Sequence, residues 1–370
     1  MEGARVSAVI LDLDGTLLDT ERATRGILKE FLAKHGKVPD AEKEEKRLGQ
    51  MHKESAAAIV KDYELPMTAA EFSEAIIPMY KERWPQAKTL PGVNRLVRHL
   101  HKHGVPLALA SNSIRNNIET KISHQKAGWK DSFSVILGGD DVKRGKPFPD
   151  IFLEAAKRLG VDASSCLVIE DSLVGVRAAK AAGAKVIAVP SLRNQDEYYS
   201  IANSVLHSLL EFQPELWDLP AFEDWVQNAL PIEPLCIRDL IADVVSCGDL
   251  SLLNISTDDC SYESVPDQVS GVFFGWAKVE LHGTFKVVVS IGWDLSLGIA
   301  KRMMQPSFLG HINNFKRERL HLLLVGYIRK LEHEDNISDA LKVSEEDESI
   351  GCAALDLPTF YHHASSSPFA

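Results

Sequence analysis

The first strongly patterned segment of the chain is an apolar run that ends in two carboxylates. From Val6 onwards the sequence VSAVIL is almost wholly apolar and leads directly into Asp12 and Asp14. This pattern is typical of a strand that is buried on both faces at the centre of a parallel sheet. Because ligands of such sheets bind just beyond the carboxyl ends of the strands, we expect function directly after this segment.

Later segments repeat the order of strand and then helix. Apolar stretches of strand length, each leading into polar or helical sequence, lie at Pro106–Ala110, Val135–Leu137, Cys166–Ile169 and Lys185–Val189. This alternation predicts an α/β domain with a doubly wound parallel sheet. Between the first two strands, about residues 20–90, apolar residues recur at steps of three and four, which predicts an all-helical insertion, or cap.

Charge and cysteine content narrow the classes of partner. The chain of 370 residues carries 41 basic and 52 acidic side chains, and no Lys/Arg cluster forms a stripe that would neutralise a phosphate backbone. We therefore expect small-molecule ligands and no nucleic acid.

Five cysteines at unrelated spacings indicate reduced thiols and a cytoplasmic protein. The first strand begins too early for a signal peptide, and no apolar run approaches the roughly 20 residues of a membrane span. The sequence carries no signal for an oligomeric state.

The segment DLDGT at Asp12 carries the first candidate chemistry. Side chains two residues apart on an extended chain point the same way, so Asp12 and Asp14 would share one site. Neighbouring carboxylates are costly unless a cation lies between them. The alternative is a turn or a calcium loop, but the preceding buried strand favours a functional site.

Three further motifs follow predicted strands. Ser111-Asn112 offers a hydroxyl and backbone donors to a phosphoryl oxygen, although Ser-Asn after a strand is commonly turn chemistry. Lys146, in the tripeptide GKP, offers a lasting positive charge, although this tripeptide alone is more often a surface turn. The pair Glu170-Asp171 suits magnesium ligation, although Asp171 considered alone is equally typical of a helix cap.

Together the four motifs resemble the haloacid dehalogenase-like hydrolase superfamily, in the same order and over residues 5–190. By that resemblance Asp12 is the nucleophile that forms an aspartyl phosphate, and Asp14 acts as general acid and then as general base. The resemblance also implies that Ser111, with Asn112, and Lys146 bind the phosphoryl group. The implied ligands of Mg²⁺ are Asp12, the backbone carbonyl of Asp14, Asp171 and, through water, Glu170.

The second half of the chain has a β texture. Residues 1–212 form the predicted α/β domain, and a connector rich in proline and tryptophan follows at residues 213–235. Runs at Gly271–Val279 and Thr284–Gly292 predict a hairpin, and Leu320–Ile328 predicts a further strand. We expect a small β domain over residues 236–360, a helix over Asn336–Glu348 and a disordered tail over residues 361–370.

The segments SGVFFGWAKV, TFKVVVSIGWD and LLLVGYIRKLE resemble the riboflavin kinase fold, a small closed β-barrel. A hydrolase followed by a connector and a kinase resembles the plant bifunctional riboflavin kinase/FMN hydrolase family over nearly the whole chain. The resemblance implies FMN as substrate of the hydrolase, and riboflavin and ATP as ligands of the kinase. We expect Phe273, Phe274, Trp276 and Trp293 in the barrel core rather than against a flavin.

The kinase-like half departs from that family at its chemistry. The family's glycine-rich stretch ends in Pro-Thr-Ala-Asn; if LLNIST matches its end, Asn254 is retained and Leu252 replaces the metal-binding threonine. A hydrophobic side chain cannot ligate magnesium. Gln305 stands where the family has a catalytic glutamate, and an amide cannot take the proton from the riboflavin hydroxyl. We therefore expect weak or absent kinase activity.

Two alternatives stay open at this stage. The motifs around Asp12 do not distinguish leaving groups, so the substrate is FMN or another phosphate monoester, such as glycerol phosphate or a sugar phosphate. The C-terminal half is an active riboflavin kinase, or a flavin-binding or scaffold module without turnover. The cap would set the choice of substrate, and its candidate residues are Arg47, Gln50 and His52.

Overall fold

The chain folds as two units, Met1–Ala221 and Phe222–Ala370. This computed structural model describes residues 5–40, 43, 52–125, 128–190, 198–247, 250–255, 265–294, 301–310, 312, 315–331 and 341–365. The division at 221 falls inside the connector expected at residues 213–235. Within the described ranges we find no helix of the length and apolar character that a bilayer crossing requires.

The first unit is built on a parallel sheet. Its strands are β1 (Ala8–Leu11), β2 (Leu107–Ala110), β3 (Val135–Leu137), β4 (Cys166–Glu170), β5 (Lys185–Ala188) and β6 (Ser204–Val205). Their spatial order is β3-β2-β1-β4-β5-β6. Strand β1 is central and wholly buried, as its apolar sequence predicts. The five strands predicted from the sequence are confirmed; β6, with two residues, is too short to leave a pattern.

Helices between β1 and β2 form the predicted insertion. They are α1 (Thr20–Thr24), α2 (Ile27–Lys34), α3 (His52–Asp62) and α4 (Ala69–Arg83). The insertion has its own small core, in which the rings of Phe31 and Phe72 meet edge to face at 5.0 Å. Helix α4 begins at a capping box between Thr68 and Glu71.

Four further helices connect the strands of the sheet. They are α5 (Val93–Lys102), α6 (Arg115–Ser123), α7 (Asp150–Leu159) and α8 (Leu173–Ala181). Helix α7 contacts β1, β2 and β3, and α8 contacts β4 and β5. Because all strands of a parallel sheet end at the same edge, the loops after β1, β2 and β4 lie together.

The second unit is an antiparallel sheet. Its strands are β7 (Leu230–Cys247), β8 (Leu250–Ile255), β9 (Gly271–Val279), β10 (Gly283–Asp294), β11 (Lys301–Phe308) and β12 (Phe315–Arg329). Their order is β11-β10-β9-β12-β7-β8, and the two edge strands β8 and β11 contact each other. The predicted hairpin and strand are confirmed as β9, β10 and β12. Helices α9 (Glu345–Ala354) and α10 (Pro358–Tyr361) pack on this sheet, where Phe360 meets Phe274 edge to face.

Aromatic residues of this unit lie largely where the sequence predicts. Phe273, Phe274 and Trp276 are buried. Trp293 is only half-buried, and the Arg302 guanidinium lies 4.5 Å from its ring centroid. Three of the four expected core residues are therefore buried, and the fourth, Trp293, forms a cation–π contact with Arg302.

Three element boundaries differ from those expected from the sequence. Helix α9 begins at Glu345, so the acidic run starts the helix instead of ending it; Ser344 caps it and Asp347 completes a capping box. Carboxylates favour helix N-termini, a preference that overrides a simple reading of periodicity. Strand β7 begins at Leu230, within the expected connector. The expected disordered tail contains a helical end at Tyr361 and a 3-10 helix at His362–Ser365, next to the buried Phe360; residues 336–340 and 366–370 lie outside the described part.

Candidate active site

The carboxyl ends of β1 and β4 bring three carboxylates together. The strands pair with Leu11 opposite Ile169, and the amide of Asp12 donates to the carbonyl of Ile169 at 3.1 Å. This register places Asp12 beside Glu170 and Asp171. One oxygen atom of each carboxylate lies within 4.8 Å of the others. A buried oxygen cluster of this kind could hold a metal ion.

Lys146 neutralises part of this cluster. Its Nζ donates to Oδ1 of Asp12 and to Oε1 of Glu170, both at 2.6 Å, and to the carbonyl of Ala110 at 2.9 Å. The lysine is 3% exposed. A charge removed from water to this extent is stable only when it is paired and hydrogen-bonded.

Asn112, expected at the phosphoryl group, holds the backbone of Lys146. Its Oδ1 accepts from the amide of Lys146 at 2.9 Å, and its Nδ2 donates to the carbonyl of Lys146 at 3.3 Å. The amide thereby fixes the loop from which the lysine projects. The hydroxyl of Ser111, just before it, lies 3.4 Å from Oδ2 of Asp14. Sequence alone does not distinguish a residue that binds a ligand from one that orients another residue.

The cluster carries more negative charge than Lys146 offsets. Burial and the repulsion of Glu170 together raise the pKa of Asp12 to about 7, although the attraction of Lys146 lowers it. The pKa of Asp171 is raised well above its ordinary value by burial and by the charges of Glu170 and Asp12. Both shifts have the cause expected for carboxylates that lack a countercharge. A divalent cation would supply that charge.

Asp14 faces a different environment from Asp12. Its carboxylate accepts from Thr20 Oγ1 at 2.8 Å and from Ser113 Oγ at 2.9 Å. Lys121 Nζ lies 2.7 Å from Oδ1 and 2.8 Å from Oδ2 of Asp14. Burial would raise the pKa of Asp14, but the charge and hydrogen bonds of Lys121, together with the two hydroxyls, lower it. In the substrate-free site the surroundings therefore raise the pKa of Asp12 and lower that of Asp14.

Two glycines allow the acidic pair to pack here. Gly15 has φ +84°, and a Cβ built on it would overlap the carboxylate of Asp171. A Cβ on Gly175 would overlap the carboxyl group of Glu170. The other oxygen of Glu170 accepts from the amide and the hydroxyl of Ser172, both at 2.9 Å. Asp171 accepts from Thr16 Oγ1 at 3.0 Å, and its backbone carbonyl accepts from the hydroxyl of Tyr199 at 2.7 Å.

Several residues of the site were not found from the sequence. Lys121, Ser113 and Thr20 all contact Asp14; Lys121 and Thr20 lie outside the four motifs, and Ser113 follows Ser111-Asn112 but is not among the predicted site residues. A signal for Lys121 was nevertheless present: it falls on the face of α6 whose other buried residues are Asn117, Ile118 and Ile122. A lysine on an otherwise buried helix face needs a partner.

The remaining predicted residues lie elsewhere or outside the described part. Arg47 and Gln50 are not described, and His52 begins α3 with a side chain that is not described. Asn254 lies in β8 opposite Asp243, again without a described side chain. Gln305 lies in β11 opposite Ser290, with an exposed side chain.

Family models match both units. Residues 6–183 match haloacid dehalogenase-like hydrolases, and residues 247–350 match riboflavin kinase. The chain is 46% identical over 359 residues to the "Bifunctional riboflavin kinase/FMN phosphatase" of Arabidopsis thaliana, which covers 96% of this chain and 94% of that protein.

The first unit also resembles a second curated relative and a solved structure. It is 36% identical over 225 residues to "(DL)-glycerol-3-phosphatase 1, mitochondrial" of Arabidopsis thaliana, covering 59% of this chain and 76% of that protein. Among solved structures, CbbY from Rhodobacter sphaeroides in complex with phosphate superposes with a TM-score of 0.50 at 28% identity, over 56% of this chain and 96% of that one. The match to a phosphate complex covers the unit that holds the three carboxylates.

Proposed function

Because the chain belongs to the family of bifunctional riboflavin kinase/FMN phosphatases, we propose that residues 1–212 hydrolyse FMN to riboflavin and inorganic phosphate. The observation that carries the proposal is the contact between Asp12 and Lys146 beside Glu170 and Asp171. It combines a carboxylate nucleophile, a fixed positive charge and a candidate cation site in one cluster of side chains at the end of β1.

In the first step Asp12 attacks the phosphorus of the ester through a carboxylate oxygen. The new bond from Asp12 to phosphorus forms as the bond to the ester oxygen breaks, which gives an aspartyl phosphate. Asp14 gives its proton to the departing alcohol oxygen. Lys146, 2.6 Å from Asp12, offsets the charge of the transferred phosphoryl group, and Ser111 binds one of its oxygens.

In the second step a water molecule attacks the phosphorus of the aspartyl phosphate. Asp14 now accepts the proton of that water, and the bond from phosphorus to Asp12 breaks. Inorganic phosphate leaves and Asp12 regains its carboxylate. One residue thus serves as acid and then as base. This requires that the side chain of Asp14 lie beside the leaving oxygen and not bind the metal ion.

The donor set fits Mg²⁺. Asp12, Asp171 and the backbone carbonyl of Asp14 would hold the ion, with Glu170 acting through water, and hard oxygen donors are the ligands that Mg²⁺ prefers. When bound, the ion supplies positive charge that lets an anionic ester approach an anionic carboxylate. The raised pKa values of Asp12 and Asp171 fit this assignment, because both carboxylates lack a full countercharge.

The substrate is assigned to FMN on the strength of the relative that aligns along both units. A chain that links a riboflavin kinase domain to a phosphatase joins two reactions of the same flavin. Glycerol phosphate is the second candidate, because a relative named as a glycerol-3-phosphatase aligns with the first unit. The helical insertion, with Arg47, Gln50 and His52, would discriminate between these leaving groups.

Residues 236–360 of the second unit are proposed to form a riboflavin kinase domain with impaired turnover. By the resemblance, Gln305 stands in place of an acid of that family, and Leu252 stands in place of a metal ligand if LLNIST matches the end of the family's motif. Asn254 is the retained member of the set. The expected ligands of an active domain are riboflavin and ATP.

A cytoplasmic location is proposed for the whole chain. The described cysteines include three free thiols, Cys166, Cys236 and Cys352. Free thiols at these positions suit a reducing compartment.

Phosphate release from FMN and from glycerol 3-phosphate, with Mg²⁺, tests the assignment. The native chain should prefer FMN, and Asp12→Asn should abolish release from both. Brisk release from glycerol 3-phosphate with none from FMN would overturn the substrate. Release that Asp12→Asn leaves unchanged would overturn the reaction.

A further inference from the structure

We propose that Lys121 is the residue that positions Asp14 for proton transfer to the leaving group, an inference that rests on the phosphatase reaction proposed above. The evidence is a direct contact. Lys121 Nζ lies 2.7 Å and 2.8 Å from the two oxygens of Asp14 and donates to Ser113 Oγ at 3.0 Å. Both carboxylate oxygens of Asp14 are thereby engaged by one cation in the substrate-free site.

The location of Lys121 is hard to explain by folding alone. The side chain is 4% exposed, although lysine is among the residues least often buried. Helix α6 would gain by an apolar residue at this position, since Ile118 and Ile122 flank it on the same face. Replacing a buried ion pair by apolar groups is often neutral or stabilising. The charge of Lys121 at this buried position is therefore better explained by its contact with Asp14 than by the stability of the fold.

Trp84 holds the ammonium on its other side. Its indole ring lies against Lys121, with Nζ 4.8 Å from the ring centroid. Trp84 begins the segment Trp84–Gln86 that follows α4, where the chain returns from the helical insertion. A cation fixed between an aromatic face and a carboxylate has little freedom to move, so the orientation of Asp14 is tied to the return segment of the insertion.

Positioning of this kind has a specific kinetic signature. General acid catalysis matters most for a poor leaving group, and misplacement of a catalytic group by about 1 Å costs on the order of 100-fold. The alkoxide of riboflavin is a poor leaving group, whereas p-nitrophenolate departs with little need of a proton. Loss of Lys121 should therefore slow FMN hydrolysis far more than p-nitrophenyl phosphate hydrolysis.

The test uses the full chain and Lys121→Met, which keeps the length of the side chain without its charge. With Mg²⁺ we expect kcat for FMN to fall by about 30-fold to 100-fold, KM to change little, and kcat for p-nitrophenyl phosphate to fall less than threefold. Lys157→Met, at a lysine whose side chain is 79% exposed on α7, is the matched control and should leave both rates unchanged.

A double-mutant cycle with Asp14 separates a positioning role of Lys121 from a structural role. If Lys121 acts through Asp14, the variant Asp14→Asn with Lys121→Met should hydrolyse FMN no more slowly than Asp14→Asn alone. Additive losses, or equal losses on both substrates, would overturn the positioning role while leaving the phosphatase assignment intact. A native chain that hydrolyses neither substrate would instead overturn the proposed function, and this inference with it.

Discussion

The ammonium of Lys146 lies 2.6 Å from Oδ1 of Asp12, and both side chains are buried. The same ammonium contacts Glu170 at the same distance. One cation therefore holds the proposed nucleophile and a member of the acidic pair at a fixed separation, and the consequences of removing it are specific.

Replacing Lys146 by methionine should cost both stability and activity. Two carboxylates would lose their buried partner, and breaking a buried ion pair costs about 3 to 5 kcal/mol. We expect the free energy of unfolding, from urea titration without divalent ions, to fall by about that amount, and FMN hydrolysis to be lost. Lys157→Met, at an exposed position, should change neither. A Lys146→Met chain with native stability would show that the pair is not desolvated in solution.

Replacing Gly175 by alanine should displace Glu170. A Cβ at this position overlaps the Glu170 carboxyl group, and overpacking a buried site costs about 1 to 3 kcal/mol. We expect a loss of stability at the upper end of that range and at least a tenfold loss of kcat. Gly183→Ala is the control: its Cβ meets nothing within 4 Å, but φ is +82°, so it should cost about 1 kcal/mol and leave kcat unchanged. Equal effects of the two substitutions would contradict the packing described here.

The pair of Asp347 and Arg329 makes the second unit sensitive to acid. Arg329 donates to both carboxylate oxygens at 2.9 Å and 2.8 Å, and Ser344 donates to one of them through its amide and hydroxyl. Burial would raise the pKa of Asp347, but these hydrogen bonds lower it below its ordinary value. Its contribution to stability is therefore complete above the unfolded pKa of about 3.9 and is lost as the pH falls through the lower folded value.

The measurement is the unfolding free energy of native and Asp347→Asn chains against pH. At pH 7 the variant should be less stable by about 1 to 3 kcal/mol, the cost of a cap and a charged hydrogen bond. The difference should shrink once the pH falls below the folded pKa. A difference that stays constant down to strong acid would contradict an ionised Asp347 in this contact.

The kinase-like unit should have weak or no turnover for two chemical reasons. Gln305 cannot accept a proton and Leu252 cannot ligate a metal. We expect little or no ATP-dependent formation of FMN by the native chain, and clearly more by the variant Leu252→Thr with Gln305→Glu, both assayed in an Asp12→Asn background so that FMN is not hydrolysed. Robust FMN formation by the chain with native Leu252 and Gln305 would refute the impairment.

Much of the first unit could be predicted because parallel strands end at one edge. The motifs at Asp12, Ser111, Lys146 and Glu170 each follow a strand or a short loop, so topology alone brings them together. Lys121 was missed because it lies in a helix, where no strand end marks it. Its place on the buried face of α6 was the available signal.

Residues that act through a partner were harder to assign than residues with intrinsic chemistry. Asn112 was expected to bind phosphate, and the structure shows its amide on the backbone of Lys146. The acidic run near Ser344 was read as the end of a helix, whereas its carboxylates stabilise the beginning of α9. For α9 the local sequence permits two arrangements, and the capping box of Ser344 and Asp347 fixes the start of the helix; phosphate binding by Asn112 stays a prediction.

The most direct test of the whole account is to isolate the covalent intermediate. Native chain mixed with FMN and Mg²⁺ should be quenched in acid during turnover and digested. The peptide that contains Asp12 should then be examined by mass spectrometry for a phosphoryl group. We predict one phosphoryl group on Asp12 that is absent from Asp12→Asn and from samples treated with a chelator before FMN is added. Undiminished FMN hydrolysis by Asp12→Asn, or a phosphoryl group on a different residue, would contradict the assignment of Asp12 as the nucleophile.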